Sequence, residues 1–226
     1  MEPIVRDTVV DALTNRLCAE VLAGRLPAGS LLAPERELAA AYGVTRTSLK
    51  HALVRLAQLG LVETKHGVGT RVRDYQREGG WELLPVLVAS AGTDWLGEIF
   101  QARREIGVLI AARAAAHRTE AHRSELAAAL AAVRHASGPD AAQLADCEVH
   151  RLIAAATGNR VYRLMANGLL NAYLQVRHLF RDPFVDPGEA ADRLTPLVEA
   201  VRAGDVAAAR AASEEYLATT ERLMLG

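Results

Sequence analysis

The chain has 226 residues, half of them hydrophobic and only 4% aromatic, with a formal net charge of −1. That length suits one large domain or two ordinary ones with a real core. Two cysteines, Cys18 and Cys147, far apart and without C-x-x-C spacing, exclude a disulfide framework and a cysteine zinc site. The N-terminal MEPIVRDTVV lacks the basic start and apolar run of a signal peptide, and no apolar stretch approaches the ~20 residues needed to cross a bilayer. The expectation is a cytoplasmic protein with no membrane partner.

Val9, Val10, Leu13, Leu17, Val21 and Leu22 recur at helical spacing and predict a first helix ending near Gly24. Pro34 is expected to open a second helix, since its fixed φ suits a first turn. Glu35 and Glu37 favour the positive end of that helix, and Gly43 stops it. Thr45 is a good N-cap for a third helix, GVTRTSLKHAL onward, in which Leu49, Ala52, Leu53 and Leu56 form one apolar face and Gly60 ends the run. After Gly60 the period changes. Leu61 to Lys65 and Thr70 to Arg73 are short strand candidates joined through Gly67 and Gly69. Three helices followed by a hairpin is the order of a winged helix-turn-helix.

Charge is distributed unevenly. From Thr45 to Arg73 there are six cations and one acid, hence +5, and His51 and His66 lie in the same stretch. Arg46 can present two donors to guanine O6 and N7, and Lys50, one turn on, reaches a base or the backbone. Thr45, Thr47 and Ser48 suit phosphate oxygens beside the free N–H groups of the helix start. Residues 76–226 carry 16 cations and 19 acids, hence −3.

DYQREGGW, residues 74–81, has the charge and paired glycines of a linker, with Gly79-Gly80 as its point of adjustment. Beyond it, helices are expected at roughly 94–118, 121–136, 140–157, 159–181, 189–203 and 205–223, and another at 82–91 around Pro85. The domains are therefore 1–73, a winged helix-turn-helix DNA-binding domain, and 82–226, an all-helical bundle. The fold class is mainly α.

PERELAAAYGVTRTSLKHALVRLAQLGLVETKHGVGTRV resembles the DNA-binding domain of the GntR family of bacterial transcription regulators, and the helical second part is similar to the FadR subfamily. The resemblance implies a homodimer on a palindromic double-stranded DNA operator, contacted by Arg36, Thr45, Arg46, Thr47, Ser48, Lys50, His66 and Gly67. Lys65, beside the wing tip, is expected to contact phosphate. Lys50 stands where that family commonly has arginine. Asp146 and His150 are four apart and share one helical side; D-x-x-x-H resembles the first half of a metal site in many members of the subfamily, whose further histidines align with Leu194 and Tyr216 here. Two ligands make a poor site for zinc, nickel or manganese, so no metal is expected, with Asp146 and His150 as the alternative metal pair and a direct Asp146–His150 interaction as the plainer reading. ATGNRVYRLMANGLLNAY and RHLFRDP resemble the metal-free, acyl-CoA-responsive branch. That likeness implies no resident cofactor and an effector that is a fatty acyl-CoA or another organic acid, held by Arg103 or Arg104 with Tyr173 lining the cavity. His117, His122 and His135 read as solvated, Cys147 as a core residue, and Trp81 and Trp95 as packing the domain junction. No nucleophile motif or phosphate-binding glycine loop points to an enzyme.

Overall fold

A computed structural model describes residues 9–90 and 95–225. The expected ends of the 82–91 and 94–118 helices at residues 91 and 94, and the reading of residues 1–8, lie outside them. The chain divides into two compact units, Met1–Trp95 and Leu96–Gly226.

In the first unit, α1 (Val9–Leu22), α2 (Glu35–Tyr42) and α3 (Arg46–Gln58) are followed by β1 (Val62–Lys65) and β2 (Gly69–Val72). The apolar spacing read from the sequence is the buried face. Leu13, Leu17 and Val21 of α1 pack with Leu38 and Ala39 of α2 and with Leu49, Ala52, Leu53 and Leu56 of α3. Pro34 is the residue before α2, not its first helical residue, and Gly43 closes that helix in the left-handed region, φ 65°. Thr45 caps α3 as expected.

β1 and β2 pair antiparallel, Val62 opposite Val72 and Lys65 opposite Gly69. The intervening turn places Gly67 and Gly69 at φ 74° and 116°, where a side chain is disfavoured. The Leu31 segment adds an unexpected edge: Leu32 N–H donates to the Thr70 carbonyl at 2.8 Å and Val72 N–H to the Ser30 carbonyl at 2.9 Å. It forms only an isolated bridge, Leu31 opposite Arg71, too short to leave an alternating signature.

Residues 74–81 are not a free linker. Asp74 caps the one-turn helix α4 (Tyr75–Glu78), its carboxylate accepting from Gln76 N at 3.2 Å and Arg77 N at 3.3 Å. Gly79 is required there by close approach, since a Cβ would sit 2.4 Å from both the Tyr75 carbonyl oxygen and Leu83 Cδ1. α5 (Leu84–Ser90) packs on α1, and Leu83 and Leu87 are buried in the core of the first unit. The expected boundary at 82 therefore moves to residue 95, because these leucines complete the core of the first unit. Trp95 packs on Tyr75, rings 6.5 Å apart, and Trp81 is 43% exposed.

The second unit holds α6 (Leu96–His117), α7 (Glu120–Arg134), α8 (Pro139–Ala156), α9 (Arg160–Val176), α10 (Pro187–Ala203) and α11 (Val206–Leu225). Its core joins Ile110, Ala114, Leu126, Val149, Ile153, Leu194, Leu197, Val198 and Leu217. Alanines along the packed faces let the helices approach closely. α10 starts earlier than the expected 189 because Asp186 caps it and Pro187 fits the first turn. His122 is no idle surface residue: Thr119 Oγ1 accepts from His122 N–H and the His122 ring accepts from Thr119 N–H, a reciprocal cap that starts α7. Among the described residues, no helix is long and apolar enough to cross a membrane.

Candidate functional site

On α3 the side opposite Leu49, Ala52 and Leu53 carries the expected DNA contacts. Arg46, Thr47, Lys50 and His51 are exposed, Ser48 is half-buried, and Arg36 is exposed on α2. Thr45 Oγ1 accepts from Ser48 N–H at 3.1 Å and lies 2.9 Å from Ser48 Oγ. That hydroxyl both starts the helix and stands at its positive end.

Charge pairing sharpens the +5 stretch. Arg55 pairs with Asp11, Arg73 with Glu78 at 2.6 Å, and Lys65 with Glu63 at 3.4 Å. Among the described residues, Arg36, Arg46, Lys50 and Arg71 form no ion pair in this structure. Arg46 occupies the first helical position of α3, whose opening turn contains no acid. A cation there opposes the helix dipole, worth about 0.3–1 kcal/mol, and an incoming phosphate reverses that penalty. On the wing, Lys65, His66 and Gly67 are exposed at the turn, with Val68 beside them 61% exposed. Thr64 and Thr70 join across the strands, Oγ1 to Oγ1 2.9 Å, and stiffen the base of that turn.

The second unit contains a cavity of about 60 Å³ lined by Arg103, Gly107 and Ile110 of α6, Asp146, Cys147 and His150 of α8, Tyr173 of α9 and Ser213 and Leu217 of α11. Leu169, Leu170, Ile106 and Leu197 make most of its wall apolar. Arg103 and Tyr173, expected at the effector, meet here with the Asp146–His150 pair. Arg104 does not: one residue further round α6, it reaches α11 and pairs with Glu221 at 2.8 Å and Glu214 at 3.6 Å.

Beside the cavity the Tyr216 hydroxyl donates to Asp146 Oδ1. Burial, with the Asp146 charge beside it, holds that phenol well above its usual range, so it remains a donor. His150 Nε2 lies 3.7 Å from Asp146 Oδ2, too far for a hydrogen bond, and this buried nitrogen has no hydrogen-bond partner. The expected direct Asp146–His150 interaction is present as an ion-pair contact and not as a hydrogen bond; the hydrogen bond to Asp146 comes from Tyr216, whose ring is tilted over His150 at 5.4 Å. Burial depresses the His150 pKa, Asp146 opposes the shift and Arg103 adds to it. Cys147 is buried, its thiol pushed up to about 12 mainly by desolvation, as befits an inert core residue. The donor set does not fit a metal of the zinc type. Beside Asp146 and His150 stands the Tyr216 phenol, Leu194 is aliphatic, and the described residues contain no group of three or more His, Cys, Asp or Glu able to hold an ion.

Gln143 is a residue the sequence reading missed. Fully buried, its amide nitrogen donates to the carbonyls of Arg177 at 2.9 Å and Phe180 at 2.7 Å and lies 2.7 Å from the Tyr173 hydroxyl. It pins the end of α9 to α8 and orients Tyr173. A glutamine within an alanine-rich helix has no local spacing that marks it as a hub.

Comparison with known proteins agrees with both units. Residues 7–72 match the model for bacterial regulatory proteins of the gntR family, and residues 98–219 match that for the FCD domain. The chain belongs to the GntR family and carries an FCD domain. An uncharacterized HTH-type transcriptional regulator of Mycobacterium tuberculosis is 36% identical over 96% of this chain and 89% of its own. Mce2R of the same species, also an HTH-type transcriptional regulator, is 29% identical over 96% and 92%. A fatty acid metabolism regulator protein of Serratia proteamaculans is 33% identical over 70% and 67%. Among solved structures, Lar of Listeria monocytogenes superposes with a TM-score of 0.63 at 16% identity, covering 96% and 97%. This GntR protein is thus a mainly helical transcription regulator.

Proposed function

We propose that this GntR regulator binds a palindromic operator as a homodimer, each recognition helix α3 entering one half-site N-terminus first, and that an organic acid in the helical unit controls that binding. The DNA reading rests on the unpaired cations at the start of α3. Arg46 reads a base, while Lys65, already screened by Glu63, contributes phosphate attraction alone. A dimer doubles the sequence information of one small module and imposes two-fold symmetry on its site.

The effector reading is carried by Arg103. It is half-buried, lines an apolar cavity, and among the described residues has neither hydrogen bond nor ion pair. A carboxylate supplies the missing partner, and its binding favours whichever arrangement of the chain holds the anion best. A second reading, a fatty acyl-CoA, is supported by the relatives named fatty acid metabolism regulators. It requires the cavity to open, because 60 Å³ holds only about four or five waters.

Mobility shifts on a selected operator test the whole reading. Arg46→Ala should relax base preference by about tenfold or more at one position of each half-site, whereas Lys65→Ala should weaken all duplexes alike and lower the salt slope by about one. Arg103→Gln should leave operator binding intact and abolish its response to butyrate and to palmitoyl-CoA. Equal base preference in parent and Arg46→Ala protein, or a response that survives Arg103→Gln, refutes the corresponding half.

A further inference from the structure

Lysine and arginine together number 26 in this chain, and only two of them, Lys50 and Lys65, are lysine. Both stand in the DNA-binding unit, Lys50 in the second turn of α3 and Lys65 at the end of β1 beside the wing turn. The helical unit from Leu96 onward contains no lysine at all. A guanidinium stays charged and does not act as a nucleophile, whereas a lysine amine that has released its proton attacks an activated acyl carbon and loses its charge as an amide.

The two lysines differ in their surroundings. Lys65 Nζ is engaged by Glu63 Oε2 at 3.4 Å. Lys50 is exposed, and among the described residues it has no ion pair. Arg46, four residues earlier and on the same side of α3, is also unpaired, and no acid lies in that opening turn. Two neighbouring free cations attract a phosphate-bearing acyl donor and leave Nζ as the amine beside it.

Building on the reading of α3 as the operator-facing helix, we propose that Lys50 is a site of acylation by activated, phosphate-bearing acyl donors and that its modification releases the operator. The unprotonated Nζ attacks the acyl carbonyl carbon. An N–C bond forms as the acyl C–O bond to phosphate, or the C–S bond to a thiol, breaks; the phosphate or thiolate departs and the amine proton passes to solvent. A neutral amide with a single N–H then stands where a cation with three donors met the DNA, so both a charge and a possible base contact are lost. Arginine at this place would hold the charge permanently, and lysine makes it removable.

Incubating the full chain with acetyl phosphate or with acetyl-CoA, followed by tryptic mass mapping and mobility shifts on the selected operator, tests this. Acetylation of Lys50 blocks cleavage there and should yield the uncut fragment Thr47–Arg55, and excess operator should suppress that fragment. The treated protein should bind the operator about tenfold or more weakly, with a salt slope lower by about one. Lys50→Arg, whatever its own affinity, should be indifferent to the treatment, whereas Lys65→Arg should respond as the parent does. Modification by either donor supports the proposal, and comparing the two identifies the leaving group. Modification confined to Lys65 or the N-terminal amine, with Lys50→Gln binding the operator weakly, overturns the modification site and leaves the DNA reading of α3 intact. Loss of binding that persists in treated Lys50→Arg also overturns it. A Lys50→Gln protein that binds as tightly as the parent, with the same salt slope, overturns both the operator contact of Lys50 and the proposal.

Discussion

Replacing Tyr216 with phenylalanine isolates the contact at the centre of the helical unit. The ring is retained, so its packing over His150, 5.4 Å between centroids, remains and only the hydroxyl is lost. That hydroxyl donates to Asp146, which is 3% exposed. A hydrogen bond to a charged group contributes about 1.5–3 kcal/mol, and a buried carboxylate oxygen deprived of its donor retains its desolvation penalty. For a chain of this size each kcal/mol moves the melting temperature by about 2–4 °C, so Tyr216→Phe should melt roughly 3–12 °C lower in calorimetry. Asp146→Leu alone leaves the phenol unpaired, whereas the double variant removes both polar groups. Its loss should therefore be clearly smaller than the sum of the single losses. A Tyr216→Phe protein melting within about 1 °C of the parent, with additive singles, would refute the claim that this bond anchors Asp146.

Three further outcomes follow from the same geometry. His150 is held below its ordinary 6.5 by burial, so the unfolded chain takes up a proton there first as pH falls. The stability it contributes is complete above about 6.5 and declines on acidification, and His150→Gln should flatten the fall in melting temperature between pH 7 and 5. A parent protein that becomes more stable on acidification contradicts this assignment. Thr45→Ala removes the acceptor for Ser48 N–H and should cost about 1 kcal/mol in urea unfolding of the first unit, with Thr45→Ser recovering most of it. Gln143→Leu strands the Arg177 and Phe180 carbonyls and frees Tyr173, and should destabilise by about 2–3 kcal/mol; a loss below 0.5 kcal/mol would show that these carbonyls find other donors.

Much of this protein was legible before any coordinates, and where it was, the reason is locality. The Thr45 cap, the Gly43 stop and the buried stripe Leu49–Ala52–Leu53–Leu56 involve residues within a turn or two of one another. Spacing in the chain is therefore spacing in space. The concentration of cations in the first unit was visible for the same reason. Tertiary structure decided what no local pattern encodes: that Asp11 neutralises Arg55, that Glu221, 117 residues away, takes Arg104 out of the cavity and leaves Arg103 free, and that Tyr216 reaches Asp146 across 70 residues. It also placed Leu83 and Leu87, read from the sequence as the start of a second domain, in the first core, because helices far upstream bury them. One-turn periodicity specifies which face of a helix is apolar. Which neighbour covers that face, and which charge is left unpaired beneath it, is set by long-range packing.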